Sequence, residues 1–151
     1  MSEPKQFCTF YINDTLLGIE VAAVQEVLKY QEVTKIPLAA SEIQGLINLR
    51  GQIITAINLR SRMNLPPCKN DRQSMNVITR INNEVVSFLV DSVGDVLEVE
   101  DKSFEPVPST VDAATRDLVS GVYKLDGKRL LMVLDTIKAA NVSTSEGQAS
   151  S

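Results

Sequence analysis

Apolar positions along this 151-residue chain recur mostly with the two-residue period of strands, in short runs bounded by turn residues. From Gln6 to Ile12 the chain alternates, which predicts a strand with Cys8, Phe10 and Ile12 on one face. Leu16 to Val21 and Val85 to Val90 are short, apolar and rich in β-branched residues, the pattern of strands covered on both faces; Gly51 to Ile57 and Arg129 to Leu134 are of the same kind. Asn13-Asp14, Asn82-Asn83 and Asp126-Gly127 suit left-handed backbone geometry and predict two-residue hairpin turns. Helical signals are few. Val21, Val24, Val27 and Leu28 sit at near-helical spacing and predict a helical turn or two after the second strand, weakened in its second copy by Gly94. Ser41-Glu42-Ile43-Gln44 has capping-box spacing and predicts another short turn.

The pattern occurs twice. Ile12 to Leu28 lies without gaps on Ile81 to Leu97 at an offset of 69, and Ile43 to Gly51 lies on Val119 to Gly127 at an offset of 76. Two blocks in the same order at nearly the same offset predict one β-module used twice. Several strands per half and no long amphipathic segment predict a mainly β protein of two packed barrels with short helical turns. The folded region is read as 5–140, divided near 5–65 and 74–140, with Pro66 to Asp71 as the connection; the pattern leaves open whether strands cross between the two parts. From Asn141 the chain turns to Ser, Thr, Gly, Gln and Ala, which predicts a disordered tail over 141–151.

Composition narrows the chemistry. There is no histidine. That removes the commonest general base and metal ligand, and every Ser-His or Cys-His nucleophile pair. Cys8 and Cys68 lack the paired spacing of a metal site, so they read as the reduced thiols of a cytoplasmic protein, with no metal and no cofactor expected. Neither the G-x-x-x-x-G-K-[ST] phosphate cradle nor G-x-G-x-x-G occurs. The acidic stretch Glu98-Val99-Glu100-Asp101 lacks calcium-loop spacing and reads as a solvated face. A net charge of −4 argues against nucleic acid as a partner. A small barrel gripping single-stranded nucleic acid is the alternative of another class, but it needs a basic, aromatic-studded face, and the aromatic residues here lie mostly within apolar strands. No apolar run approaches the ~18 residues that span a bilayer, so direct membrane insertion is not expected. Paired carboxylates acting as acid and base, as in glycosidases, stay open, but seven aromatic residues and no Trp give little of a sugar platform, so a non-enzymatic binding protein is expected.

The two copies differ at one telling position. Asp126 precedes the turn glycine of the second module, whereas Arg50 precedes Gly51 in the first. Arginine has no turn-forming advantage there. At a hairpin tip beside Asn48 and Gly51, its guanidinium would present five donors in a rigid fork, as a binding residue is displayed. The plain structural reading is a surface ion pair with Glu26, worth about 0–1 kcal/mol.

Glu20-Val21 followed by Val24-Gln25-Glu26-Val27, then Ile36-Pro37, Ile43-Gln44-Gly45-Leu46-Ile47-Asn48-Leu49-Arg50-Gly51-Gln52-Ile53 and Asn58-Leu59-Arg60, resemble the CheW family of bacterial chemotaxis coupling proteins. Val90-Asp91-Ser92-Val93-Gly94-Asp95-Val96 and Leu118-Val119-Ser120-Gly121-Val122 extend the resemblance over about Gln6 to Ala140. It implies two packed five-stranded SH3-like β-barrels with no enzymatic activity. It also implies a scaffold that couples the cytoplasmic tip of methyl-accepting chemotaxis receptors to the regulatory domain of the CheA histidine kinase, assembling with them in arrays. The residues tied to receptor coupling in that family fall on Glu26 and Arg50, with Asn48 and Gly51 beside the arginine. Val24 and Val27 flank Glu26; they either line the groove that the family places between its barrels or serve as core valines. Kinase-contact residues stay unassigned. A coupling protein of a different chemosensory system, such as pilus motility, is the nearer alternative.

Overall fold

The computed structural model describes residues 4–35, 43–66, 74–100 and 103–140. The capping-box residues Ser41 and Glu42, the pair Ile36-Pro37, Cys68 and the expected tail lie outside the described residues. In chain order the strands are β1 (Pro4–Ile12), β2 (Thr15–Glu20), β3 (Val24–Leu28), β4 (Ile43–Leu49), β5 (Gln52–Asn58), β6 (Met75–Ile81), β7 (Glu84–Val90), β8 (Ser92–Glu100), β9 (Phe104–Glu105), β10 (Val119–Lys124) and β11 (Leu130–Leu134). Among the described residues three short α-helices accompany them: α1 (Leu59–Arg62) after β5, α2 (Ala113–Arg116) before β10, and α3 (Thr136–Ala140) after β11.

Two sheets result, in the orders β8-β1-β2-β11-β10-β9 and β3-β6-β7-β5-β4. Both contain one parallel pair among antiparallel neighbours, β2 with β11 and β7 with β5. The repeat is therefore visible in the pairing: Cys8 faces Val96 in one sheet as Val77 faces Val27 in the other. The first sheet counts six strands rather than the expected five because Phe104–Glu105 adds an edge pairing to β10. The second has a single bridge at the corresponding place, Thr34 to Leu46.

The hairpins are exchanged. β1 and β2 sit with the strands of the second half, while β6 and β7 complete the sheet built on β3, β4 and β5. Each hairpin turns as its asparagines dictate: Ile12 pairs Thr15 and Ile81 pairs Glu84, with Asn13 at φ 59° and Asn82 at φ 56°.

Two expectations are corrected. The expected helical turn after β2 is a 3₁₀ turn at Val21–Ala23, but Val24, Val27 and Leu28, which the near-helical spacing also took in, extend into β3, because pairing with β6 overrides that spacing. Asp126-Gly127 is not a two-residue turn: the loop is a 3₁₀ turn over Asp126–Lys128, closed by Leu125 N–H donating to the Arg129 carbonyl at 2.7 Å. Cys8 shares its face with Phe10 and Ile12, as the alternation predicts, and is half-buried there, while Phe7 and Thr9 are buried on the opposite face of β1.

Three clusters make the core. Ile47, Leu49, Ile54, Ala56, Ile78 and Leu89 fill one barrel, and Phe7, Leu16, Tyr123 and Leu131 fill the other. The largest lies between them, with Phe10, Ile12, Leu17 and Ile19 from one sheet against Ile57, Val77, Phe88 and Val90 from the other. An interface this apolar joins the barrels as one body. Each barrel also has a glycine under its crossing strand. A Cβ on Gly121 would stand 2.1 Å from the Phe104 ring, and one on Gly45 2.4 Å from the Thr34 carbonyl oxygen.

Candidate interaction surface

The β4–β5 hairpin is a two-residue turn, Leu49 pairing with Gln52. Arg50 and Gly51 take φ 52° and 87°, the positive pair that a type I′ turn requires. Among the described residues the other non-glycine positions at positive φ are Asn13, Asn64 and Asn82, all of the type that tolerates it. Arg50 is the exception, at a cost of about 1–2 kcal/mol for a side chain bearing a Cβ. The Asn48 carboxamide oxygen accepts from Gly51 N–H at 2.9 Å and holds the turn closed.

Glu26 reaches this tip from β3. Its carboxylate accepts from Arg50 Nη2, so the expected ion pair forms. It stays on the surface: the arginine side chain is 66% exposed and the glutamate 25%. One guanidinium nitrogen is engaged, on a side chain that is otherwise mostly exposed. The two strands carrying the pair are opposite edges of their sheet, so the contact exists only because the sheet curls until β3 meets the hairpin tip.

The other sequence-predicted residues divide. Gly51 and Asn48 are exposed beside the arginine. Val27 is 36% exposed, while Val24 packs against the shared core. A groove of about 580 Å³ runs beside the first crossing between the sheets, lined by Pro4, Lys5, Gln6, Glu20, Val21, Ala22 and Glu98; neither Val24 nor Val27 is among these residues. Sequence reasoning passed over Ile53. Cross-strand to Asn48, and therefore on the same face, it is 60% exposed. The sequence carried no signal for it, since Ile53 falls in the run Gly51 to Ile57 that reads as a strand covered on both faces.

Nothing here equips the face for covalent chemistry. Burial pushes the Cys8 thiol above its usual value, which disfavours the nucleophilic thiolate. Among the described residues no cluster of three metal-ligating side chains occurs, and no helix is long and apolar enough to cross a membrane.

A pair of fused barrels displaying a mostly exposed arginine on a tight turn suits a protein-binding scaffold. The CheW-like domain family matches residues 6–142, so the chain belongs to that family, whose members are chemotaxis coupling scaffolds. The chemotaxis protein CheW of Bacillus subtilis is 30% identical over 131 residues, covering 87% of this chain and 83% of that protein. CheW of Rhizobium meliloti is 25% identical over 134 residues, covering 88% and 86%. The crystal structure of the scaffolding protein TtCheW from Thermoanaerobacter tengcongensis superposes with a TM-score of 0.79 at 31% identity, covering 88% of this chain and 90% of that one, and it shares the two-subdomain SH3-like fold. These likenesses do not favour the pilus-motility or nucleic-acid alternatives.

Proposed function

We propose that this protein bridges methyl-accepting chemotaxis receptors to a CheA-type histidine kinase, without catalysis of its own, in the cytoplasm at receptor arrays. The receptor's cytoplasmic tip meets the face built by Glu26, Arg50, Asn48 and Gly51, with Val27 and Ile53 as its apolar neighbours. Arg50 carries this reading. A strained, mostly exposed arginine stands where asparagine or glycine would be favoured, and backbone strain that the fold maintains at an exposed tip marks a residue kept for contact. Apolar side chains flanking a charged fork suit an amphipathic receptor helix laid across the face. Modest affinity suffices, because linked partners in an array add avidity.

The test is Arg50→Glu in a reconstituted mixture of receptor fragment, kinase and adaptor. Receptor-dependent kinase activation is expected to be lost while the thermal unfolding midpoint stays within a few degrees of the parent. Full activation by the folded variant would remove Arg50 from the surface.

A further inference from the structure

The chain crosses from one sheet to the other at two equivalent places, and the two crossings are built differently. The offset of 69 lays Val21–Ala23, which leads into β3, on Val90 to Ser92, which lead into β8. The parallel pairs set the second correspondence: Thr55 opposite Val86 in one sheet matches Met132 opposite Leu17 in the other, an offset of 77 that carries α1 onto α3. The caps agree, since Asn58 accepts from Arg60 N–H at 2.9 Å and Asp135 accepts from Lys138 N–H at 3.1 Å. Ala22 therefore stands where Asp91 does, and Ile137 where Arg60 does.

At the second crossing these positions form a clamp. Arg60 Nε and Nη2 donate to the two oxygens of Asp91, both at 2.8 Å, and Nη1 donates to the Pro66 carbonyl at 2.8 Å. Asp91 also accepts from Asn13 N–H at 2.6 Å, while its own N–H donates to the Tyr11 carbonyl at 3.0 Å. One carboxylate thus ties α1, the crossing and the β1–β2 turn together, with both charged side chains at most 20% exposed. At the first crossing Ala22 has no side-chain acceptor to offer, Ile137 is 60% exposed, and the 3₁₀ turn has neither a side-chain cap nor a buried residue.

We infer that the Arg60–Asp91–Asn13 clamp is the fixed joint of the molecule and the Val21–Ala23 crossing the yielding one, from which β3 is released in local opening. The shared apolar core keeps the barrels together throughout, so the motion is strand release rather than barrel separation. β3 carries Glu26, so its release separates Glu26 from Arg50; only this last consequence rests on the receptor-surface reading.

Native-state hydrogen exchange on the full chain tests it. Because β8 is longer than β3, each strand is compared with itself across variants. Asp91→Ala is expected to lower protection of β8 amides at least tenfold while leaving β3 amides unchanged. The paired change Ala22→Asp with Ile137→Arg, which installs a second clamp, is expected to raise β3 protection at least tenfold, with neither single change doing so. Loss of protection in β3 and β8 alike on Asp91→Ala, or no gain over the single changes from the folded paired variant, would overturn the inference. Should the paired variant not fold, the Asp91→Ala comparison decides alone. These readouts involve no receptor, so they stand or fall separately from the proposed function.

Discussion

At the scale of the residue, Arg50 sets local stability against display. Replacing it with Asn, which suits positive φ, relieves about 1–2 kcal/mol of strain and forfeits an exposed ion pair worth about 0–1. Arg50→Asn is therefore expected to raise stability by up to about 1 kcal/mol, read from the urea midpoint, and to weaken receptor-coupled kinase activation in the same preparation. A fall in stability of more than about 1 kcal/mol would mean that the pair with Glu26 serves the fold instead. Most of the surface was legible in the sequence because its residues are local: a turn glycine, an arginine before it and an asparagine two before that lie within four positions. What escaped was which valine faces outward: helical spacing puts Val24 and Val27 on one side, whereas in the strand that forms, residues three apart lie on opposite faces.

Elements are held by two kinds of local fit. Gly121 lies under the Phe104 ring, which also meets Tyr123 with ring centroids 5.1 Å apart. Gly121→Ala is expected to cost about 2–3 kcal/mol, in the range of overpacked sites. Phe104→Ala in the same chain should recover part of that loss in a double-mutant cycle, and simple additivity of the two changes would show that the ring is not the obstacle. The Asp91 clamp is the polar counterpart. Removing one partner of a mostly buried pair strands the other, so Asp91→Ala should lower global stability by about 2–4 kcal/mol, measured by denaturant unfolding. Both turn asparagines and both strands of each early hairpin could be read from the chain. The wider Asp126 loop could not, because one residue more or less in a loop leaves no mark on the hydrophobic period.

For the whole molecule, exchanged hairpins and a shared core make two barrels one cooperative unit. Leu131 is buried in the barrel opposite to the one bearing Arg50. Leu131→Ala is expected to cost about 2–5 kcal/mol and to shift a single unfolding transition, with amides of β4 and β5 losing global protection together with those of β10 and β11. Two separated transitions would show that the barrels melt apart. A scaffold that meets two partners profits from such unity, since the spacing between its faces does not depend on a linker.

By itself the sequence determined the repeat, the strand content, the asparagine turns, the absence of histidine chemistry and the arginine at a tip. All of these are set by residue type and short-range spacing, which act before distant parts of the chain meet. Only the tertiary structure decided that the hairpins trade barrels, that Val24 turns inward and Val27 outward, and that one crossing is clamped while its twin is not. Each of those depends on which strand lies beside which, and pairing between residues tens of positions apart is settled by burial of whole faces rather than by any local pattern.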